Sequence, residues 1–410
     1  MNSLELFSLI ISLSAVLAYL NIKVLKLPGT IGLMILALLL SLVILLAGSV
    51  APEGITFIQK NLTQLNFSRF LLDFMLGFLL FAGALHTDIE KLRRVRRPII
   101  VFATVGTLIS TFLVGSLLYL LFPFLYQPVA YIYCLLFGAL ISPTDPIAVL
   151  SILKKAGIAE SVETSITGES LFNDGVGVVI FLTFFNFARQ GASEIEPIEI
   201  LELLLTEVGG GLLLGLLLGY VVFRMLKSID HYQTEVLLTL ALVMGGTVLA
   251  PLFHFSGPLA MVVAGLFIGN KGALEAMSKT TNDYIHKFWE MIDEIMNAIL
   301  FVLIGLELVI IPIHRAYIYV GLISIALIIL VRYVSLMAPS FVFRFKERYS
   351  ASTLVIMTWG GLRGGISIAL ALSLETEMER NLIVSITYIV VLFSIIVQGL
   401  TLSKVVQKLT

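Results

Sequence analysis

The sequence predicts an all-α polytopic membrane protein, and three observations support this prediction. Hydrophobic residues make up 59% of the 410 residues, and only 13% are Asp, Glu, Lys or Arg, against roughly 25% in soluble proteins. Long apolar stretches recur along the chain, separated by short segments with charged residues, glycine or proline. A soluble protein of this composition would expose large apolar surfaces to water, so soluble enzymes and disordered proteins are excluded.

Charge and cysteine content exclude further classes. The 26 basic and 27 acidic residues give a net charge of −1, which does not favour nucleic-acid binding. Cys134 is the single cysteine, so neither an internal disulfide nor a Cys/His zinc site is expected. The glycines form no GxGxxG or Walker pattern. We therefore expect no cofactor, no nucleic-acid partner and no enzyme activity.

Helix by helix, the apolar stretches predict thirteen membrane spans. A bilayer core is crossed by a helix of about 20 mostly apolar residues. The predicted spans are residues 4–22, 28–47, 68–86, 98–122, 128–153, 163–188, 198–223, 233–252, 256–270, 290–311, 315–343, 351–374 and 381–403. Between spans nine and ten, residues 271–289 alternate charges with apolar residues at helical spacing and predict an interfacial helix. No soluble domain is expected.

The distribution of basic residues predicts the orientation of these spans. Of the 26 basic residues, 19 follow odd-numbered spans and five follow even-numbered spans. A miscounted span would have inverted this alternation downstream of the error. By the positive-inside rule, the N-terminus is predicted outside and the C-terminus in the cytoplasm. The two remaining basic residues, Arg332 and Arg363, lie inside spans.

Span five is interrupted by the sequence Ser142-Pro143-Thr144-Asp145-Pro146. Two prolines three residues apart remove two backbone donors and clash with the preceding turns, so the helix is predicted to open here. Non-helical backbone at membrane depth occurs where it is buried in protein or lines a watery cavity. Open carbonyl groups beside Asp145 suit a cation. The alternative is a simple proline kink with Asp145 capping the next half-helix.

Span twelve is interrupted by four glycines around Arg363, in residues 359–366. Spans five and twelve are seven apart, and seven is odd, so two six-span repeats at this offset would have opposite topology. We therefore predict two inverted repeats, residues 1–188 and 233–406, with span seven (198–226) as their linker. Broken helices from the two repeats would then cross near the middle of the bilayer.

Span six carries the polar residues Ser170, Asn173 and Asp174. Ser170 and Asp174 are four residues apart and share one helix face, so a hydroxyl and a carboxylate could contact one ligand. Asn173 flanks them. The alternative, a polar helix that merely packs against neighbours, leaves the high free-energy cost of carboxylates inside a membrane unexplained.

Glu169 is expected on another face of the same span. It precedes Asp174 by five residues, which places it about 140° around the helix at 100° per residue. Asp174 is therefore predicted to be the working carboxylate, and Glu169 the structural partner of a buried arginine. Arg332 in span eleven and Arg363 in span twelve are both candidates, and the sequence leaves this choice open.

Other features support simpler roles. Gly211, Gly215 and Gly219 in span seven predict close helix packing, with a dimer interface as the alternative. Asp73 and Glu307 lie near predicted outer ends of spans, where side chains reach the interface.

Three motifs together resemble one family. Residues 142–146, 168–175 and 360–365 are similar to motifs of monovalent cation:proton antiporters of the NhaP and Na⁺/H⁺ exchanger type, in the same order along the chain. The resemblance implies the NhaA-like antiporter fold, with a six-helix core of crossed, unwound helices, a separate dimerisation domain, a homodimer and elevator-like alternating access. Some relatives add an acidic residue from span three, but Asp73 cannot be aligned to it.

By motif match, the resemblance also implies roles for individual residues. The residues assigned to the cation site are Thr144, Asp145, Ser170 and Asp174, with Asn173 beside them. The residues assigned as structural charges are Glu169 with Arg363 or Arg332. The transported ions would be H⁺ and Na⁺ or Li⁺, bound by Asp174 in competition. An asparagine at 173, where electrogenic relatives have aspartate, implies electroneutral one-for-one exchange in the plasma (inner) membrane. K⁺/H⁺ exchange is an alternative, and an organic-anion symporter and a cation channel are less favoured.

Overall fold

The computed structural model describes residues 3–48, 56, 59, 67–145, 149, 153, 158–190, 197–311, 314–343, 345 and 349–409. These residues form helices joined by short connections, and no strand occurs among them. Nine helices within these ranges are long and apolar enough to cross a membrane. The all-helical class agrees with the sequence prediction.

We number the helices α1 to α15 in chain order. Their bounds are α1 Ser3–Leu20, α2 Gly29–Gly48, α3 67–85, α4 Ile89–Arg94, α5 Arg96–Leu125, α6 Tyr131–Ile141, α7 Glu160–Gln190, α8 Pro197–Leu226, α9 Tyr232–Leu252, α10 Gly257–Glu275, α11 Lys279–Glu307, α12 Arg315–Phe343, α13 Ala351–Trp359, α14 Gly365–Leu372 and α15 Arg380–Leu409.

Each predicted span overlaps helical residues of this set. Span five overlaps α6, and span twelve overlaps both α13 and α14. Residues 146–148 and 150–152 of span five lie outside the described residues. The number of membrane crossings and the inverted repeats stay predictions, because helix bounds alone do not test them.

The predicted interfacial helix at residues 271–289 is not a separate helix. Its first residues end α10, and the remainder belongs to α11, which begins after the N-cap residue Ser278 and continues unbroken to Glu307. Trp289 is fully buried, and its indole N–H donates to the Thr239 hydroxyl at 3.0 Å. Of the apolar residues in this stretch, Ile285 and Trp289 therefore pack inside the protein, whereas Tyr284 is exposed.

The helices pack in two groups. α5, α6, α7, α12, α13, α14 and α15 contact mainly one another, and α1, α2, α3, α8, α9, α10 and α11 form the second group. We call them the core group and the scaffold group. α7 also contacts α8 and α10, and α14 contacts α3 and α11. The two broken segments therefore lie in the core group, close to its boundary with the scaffold group.

Two minor predictions have clear outcomes. Gly211 and Gly215 in α8 lie so close to α10 that a side chain at either would collide with backbone oxygens of Ser256 and Ala260, which is helix packing within the chain. Glu307 is buried inside the protein near the end of α11, so the prediction of an interface-exposed side chain is wrong. The side chain of Asp73 is outside the described part.

Candidate functional site

The first break follows α6, which ends at Ile141. Residues 142–145 leave the helix, as the prolines predict, because proline lacks an N–H and clashes with the preceding turn. The carbonyl oxygens of Ser142 and Pro143 accept hydrogen bonds from Arg363 Nη1 at 2.5 and 2.8 Å. A buried guanidinium thus satisfies carbonyl groups that the opened helix leaves without intrahelical donors.

The second break lies between α13 and α14, at residues 360–364. The carbonyl oxygen of Leu362 accepts a hydrogen bond from the backbone N–H of Asp145 at 2.8 Å. The backbone N–H of Arg363 donates to Ser394 Oγ of α15 at 2.9 Å. The two unwound segments therefore contact each other backbone to backbone, and α15 supports the second one.

Thr144 connects the first break to α7. Its hydroxyl lies 2.8 Å from Ser170 Oγ, and its backbone N–H donates to Asn173 Oδ1 at 3.2 Å. Asn173 Nδ2 donates to Thr144 Oγ1 at 3.0 Å. Thr144 Oγ1 therefore accepts from Asn173 and shares a second hydrogen bond with the Ser170 hydroxyl. All three side chains are buried, so this network fixes the hydroxyl oxygens relative to the broken segment.

Asp174 and Asp145 lie beside these hydroxyls and line one cavity together with Thr144. Asp174 is 6% exposed and lies one helical turn after Ser170. Asp145 lies against Gly364, where a Cβ atom would be only 2.5 Å from Asp145 Oδ2. Hydroxyl and carboxylate oxygens are ligands that hard cations prefer, and carboxylates close to each other favour taking up a proton or a cation.

The buried ion pair joins Glu169 to Arg332. The Glu169 carboxylate accepts from Arg332 Nη1 at 2.5 Å and from Nη2 at 2.9 Å, and both side chains are nearly inaccessible. Of the two candidates left open by the sequence, Arg332 is therefore the partner, while Arg363 binds carbonyl groups. Gly361 leaves room for Arg332, since a Cβ there would lie 2.8 Å from Nε.

A cavity of about 1160 Å³ leads to Asp174 and Asp145. Its walls come from α3, α4, α7, α11, α14 and the first break. Its acidic lining residues are Asp88, Asp145, Glu160, Glu163, Asp174, Asp283, Glu290, Asp293 and Glu294. Among the residues that the structure describes, two lysines, Lys91 and Lys287, and two histidines accompany them. The negative lining raises the local concentration of cations.

The mouth of the cavity holds an exposed ion pair and two neighbouring histidines. Lys91 Nζ lies 2.6 Å from Glu160 Oε1, and this hydrogen-bonded pair raises the pKa of Lys91 and lowers the pKa of Glu160. The rings of His86 and His286 are 5.0 Å apart. Burial, and then the charge of His86, lower the pKa of His286.

The acidic face of α11 is not among the residues predicted from the sequence. Glu290, Asp293 and Glu294 line the cavity, opposite α7. Their spacing of three and four residues places them on one helix face. That periodicity was available in the sequence, but charges at the start of a predicted span look the same whether they face bulk water or a water-filled cavity.

Residues 11–408 match the family described as "Sodium/hydrogen exchanger, transmembrane". The chain is 47% identical to the Na⁺/H⁺ antiporter NhaP of Pseudomonas aeruginosa, over 99% of this chain and 97% of that protein. It is 35% identical to the Na⁺/H⁺ antiporter NhaH of Halobacillus aidingensis, over 94% of this chain and 93% of that protein.

A solved structure has a similar fold. The sodium proton antiporter MjNhaP1 of Methanocaldococcus jannaschii, determined at pH 8, aligns with a TM-score of 0.76 over 98% of this chain and 97% of that chain. The sequences are 21% identical in this alignment, so the similarity concerns the arrangement of the helices.

Proposed function

We propose that this chain, which belongs to the sodium/hydrogen exchanger family, is a secondary active antiporter that exchanges Na⁺ for H⁺ across a membrane. The family consists of transporters, so the chain is a polytopic membrane protein and not an enzyme. The names of the NhaP and NhaH relatives support Na⁺ as the cation. Li⁺ is expected to use the same oxygen ligands.

One observation carries the proposal. Hydroxyls of Thr144 and Ser170 and carboxylates of Asp145 and Asp174 come together at the inner end of an acidic cavity, where two unwound segments meet. These oxygen atoms suit a dehydrated alkali cation. The open backbone at this depth belongs to the type of site that transporters build from broken helices.

Exchange follows from competition at Asp174. The carboxylate holds either a proton or a cation, and the hydroxyls of Thr144 and Ser170 with Asp145 complete the oxygen shell of the cation. Movement of the site with an empty, charged Asp174 carboxylate into a low-dielectric barrier is strongly unfavourable. The site therefore crosses only when it is loaded, which couples inward movement of one ion to outward movement of the other.

Asn173 supports an electroneutral exchange of one cation for one proton. Its amide is engaged on both sides by Thr144, and it adds no titratable charge to the site. One carboxylate that alternates between proton and Na⁺ moves the same charge in both directions. Exchange by the wild-type protein is therefore expected to proceed at the same rate whether or not a membrane potential is imposed with K⁺ and valinomycin.

The remaining charges are assigned to the framework. Glu169 and Arg332 form an ion pair that joins α7 to α12. Arg363 joins the two breaks through the carbonyl groups that it binds. We propose that both arginines hold the crossed segments in register while the core group moves as one body.

Alternating access would be movement of the core group against the scaffold group. The site lies on the core group beside the boundary, so a displacement of that group carries it across without unfolding the crossed segments. We further propose a homodimer held by the scaffold group, inverted repeats at 1–188 and 233–406 joined by 198–226, and residence in the plasma membrane with the C-terminus in the cytoplasm. The cavity then opens to the cytoplasm.

The test is exchange in proteoliposomes that contain a pH-sensitive dye. An imposed gradient of Na⁺ or Li⁺ is expected to move protons in the opposite direction. The same assay with K⁺ and Rb⁺ measures selectivity and decides between Na⁺/H⁺ and K⁺/H⁺ exchange. A steady current without coupled pH change would contradict antiport and favour a channel, and uptake of a labelled bile-acid-like anion would favour an organic-anion symporter.

A further inference from the structure

Helix α15 supports the second break from outside the cavity. None of its described residues lines the cavity, yet Ser394 Oγ accepts a hydrogen bond from the backbone N–H of Arg363 at 2.9 Å. The Ser394 hydroxyl in turn donates to Gln398 Oε1 at 2.7 Å. Ser394 and Gln398 are 1% and 5% exposed, so bulk water does not compete for these bonds.

The hydroxyl of Ser394 is used differently from those of Ser324 and Ser385. Those two donate to the backbone carbonyl four residues earlier, which is a common bond of a serine inside a helix. Ser394 instead donates to a side chain within the same π turn of α15, and π turns occur frequently at functional sites. Because Gln398 accepts from this hydroxyl, the oxygen of Ser394 faces the N–H of Arg363 as an acceptor.

The N–H of Arg363 and the carbonyl group of Leu362 belong to one peptide group. This peptide is trans, so it is planar and its N–H and C=O point in opposite directions. The carbonyl oxygen accepts from the backbone N–H of Asp145 at 2.8 Å. The hydrogen bond to Ser394 on one edge of the peptide therefore fixes the direction of the carbonyl group that Asp145 contacts on the other edge.

The backbone of the first break is thus held from two sides. The N–H of Thr144 donates to the Asn173 side chain on α7, and the N–H of Asp145 donates to the peptide that α15 orients. Groups that orient the ligands of a metal ion contribute to its affinity although they do not touch it. Without an acceptor at Ser394, the buried N–H of Arg363 would be unsatisfied, and the peptide would rotate toward another partner.

We propose that Ser394 and Gln398 are positioning residues for the transported cation, which fix Asp145 beside Asp174 through the peptide between residues 362 and 363. The inference rests on the proposed antiport function and adds to it a group that sets cation affinity. α15 packs on α14 and α12 within the core group. The support therefore moves together with the site and acts on cation binding from both sides of the membrane.

The experiment separates cation affinity from the amount of active protein. Ser394→Ala removes the acceptor for the N–H of Arg363, and the apparent KM for Na⁺ in proteoliposomes is expected to rise by about tenfold, as on loss of ligand-orienting groups in metal sites. Gln398→Met removes only the acceptor for the Ser394 hydroxyl and should raise KM less, in the same direction. A merely structural defect would lower the maximal rate and leave KM unchanged, because KM does not depend on the number of active molecules.

Binding without transport provides a second readout. A cation that binds the folded state raises the melting temperature as its concentration exceeds Kd. The Na⁺ concentration that gives half of this rise is expected to shift by the same factor as KM in both variants. Ser394→Thr retains the hydroxyl and should keep both quantities close to those of the wild type.

The matched control is Thr401→Val on the same helix. Thr401 Oγ1 accepts from the indole N–H of Trp359 at 2.9 Å, so this variant loosens α15 against the end of α13 without touching the peptide at 362–363. Its KM for Na⁺ should stay within about twofold of the wild type. An equal rise in KM for Thr401→Val and Ser394→Ala, or an unchanged KM in both Ser394→Ala and Gln398→Met, would overturn the proposal.

The outcomes also distinguish this inference from the proposed function. If the wild-type protein moves no protons in response to Na⁺, antiport itself is wrong. If the wild-type protein exchanges and Ser394→Ala has the wild-type KM and the wild-type Na⁺ dependence of the melting temperature, antiport stands and the positioning role is wrong.

Discussion

Two buried carboxylates on helix α7 differ in what surrounds them. Glu169 is held by both terminal nitrogens of Arg332, while Asp174, five residues later, lines the cavity beside Asp145 and the Ser170 turn. In the described part of the chain, no lysine or arginine forms an ion pair with Asp174. This difference in surroundings supports the proposed division of roles, in which the carboxylate with a guanidinium partner is structural and the carboxylate among oxygen ligands binds an exchangeable ion.

The largest expected effect is loss of exchange on replacing Asp174 by Asn. The amide cannot bind a proton and a cation alternately, so Na⁺-driven pH change should fall to the level of protein-free liposomes. The melting temperature should stay the same or rise, because a buried carboxylate is replaced by a neutral group of similar shape. Exchange retained by this variant would show that the cavity-facing carboxylate of α7 is not the working one.

Glu169→Gln should have the opposite pattern. Removal of one partner leaves Arg332 charged and buried, which typically destabilises a protein by about 3 to 5 kcal/mol. The expected result is a lower yield and a lower melting temperature, with exchange preserved in the protein that remains folded. The matched double variant Glu169→Gln, Arg332→Gln leaves no buried charge without a partner and should recover part of the stability. A fully stable but inactive Glu169→Gln protein would place this carboxylate in the transport cycle.

Sequence reasoning located both breaks because proline and glycine act locally on the backbone. It separated Glu169 from Asp174 because helical periodicity fixes the angle between them. It left the arginine partner open, since Arg332 and Arg363 offer the same chemistry, and only the three-dimensional position of the two guanidinium groups decides between them. It also missed Asp293 on α11, because a water-filled cavity and the membrane surface produce the same amphipathic pattern in a helix.

A smaller effect is expected from Gly364→Ala, which tests the position of Asp145 beside Asp174 without changing a charge. The new Cβ would lie 2.5 Å from Asp145 Oδ2, and the backbone of Asp145 is tied to Leu362, so the carboxylate must move. We expect kcat/KM for Na⁺ to fall by about tenfold, in line with the 1 to 3 kcal/mol typical of overpacking. Gly245→Ala is the matched control, because a Cβ there meets nothing within 4 Å. Equal activity of the two variants would contradict the placement of Asp145 in the site.

The smallest effect is expected at a third carboxylate of α7, Glu160, whose partner Lys91 is exposed at the cavity mouth. The pair lowers the pKa of Glu160 below its usual 4.5 and raises the pKa of Lys91 above its usual 10.5. Any contribution of Glu160 to stability is thus lost only as the pH falls through the acidic range, and that of Lys91 only as the pH rises through the alkaline range. Lys91→Gln should therefore leave the melting temperature and the pH profile of exchange between about pH 6 and 9 unchanged, since solvent-exposed ion pairs contribute little to stability. A shifted pH midpoint in a dye-based exchange assay would contradict this, and would show that an exposed pair on α7 takes part in control of the site.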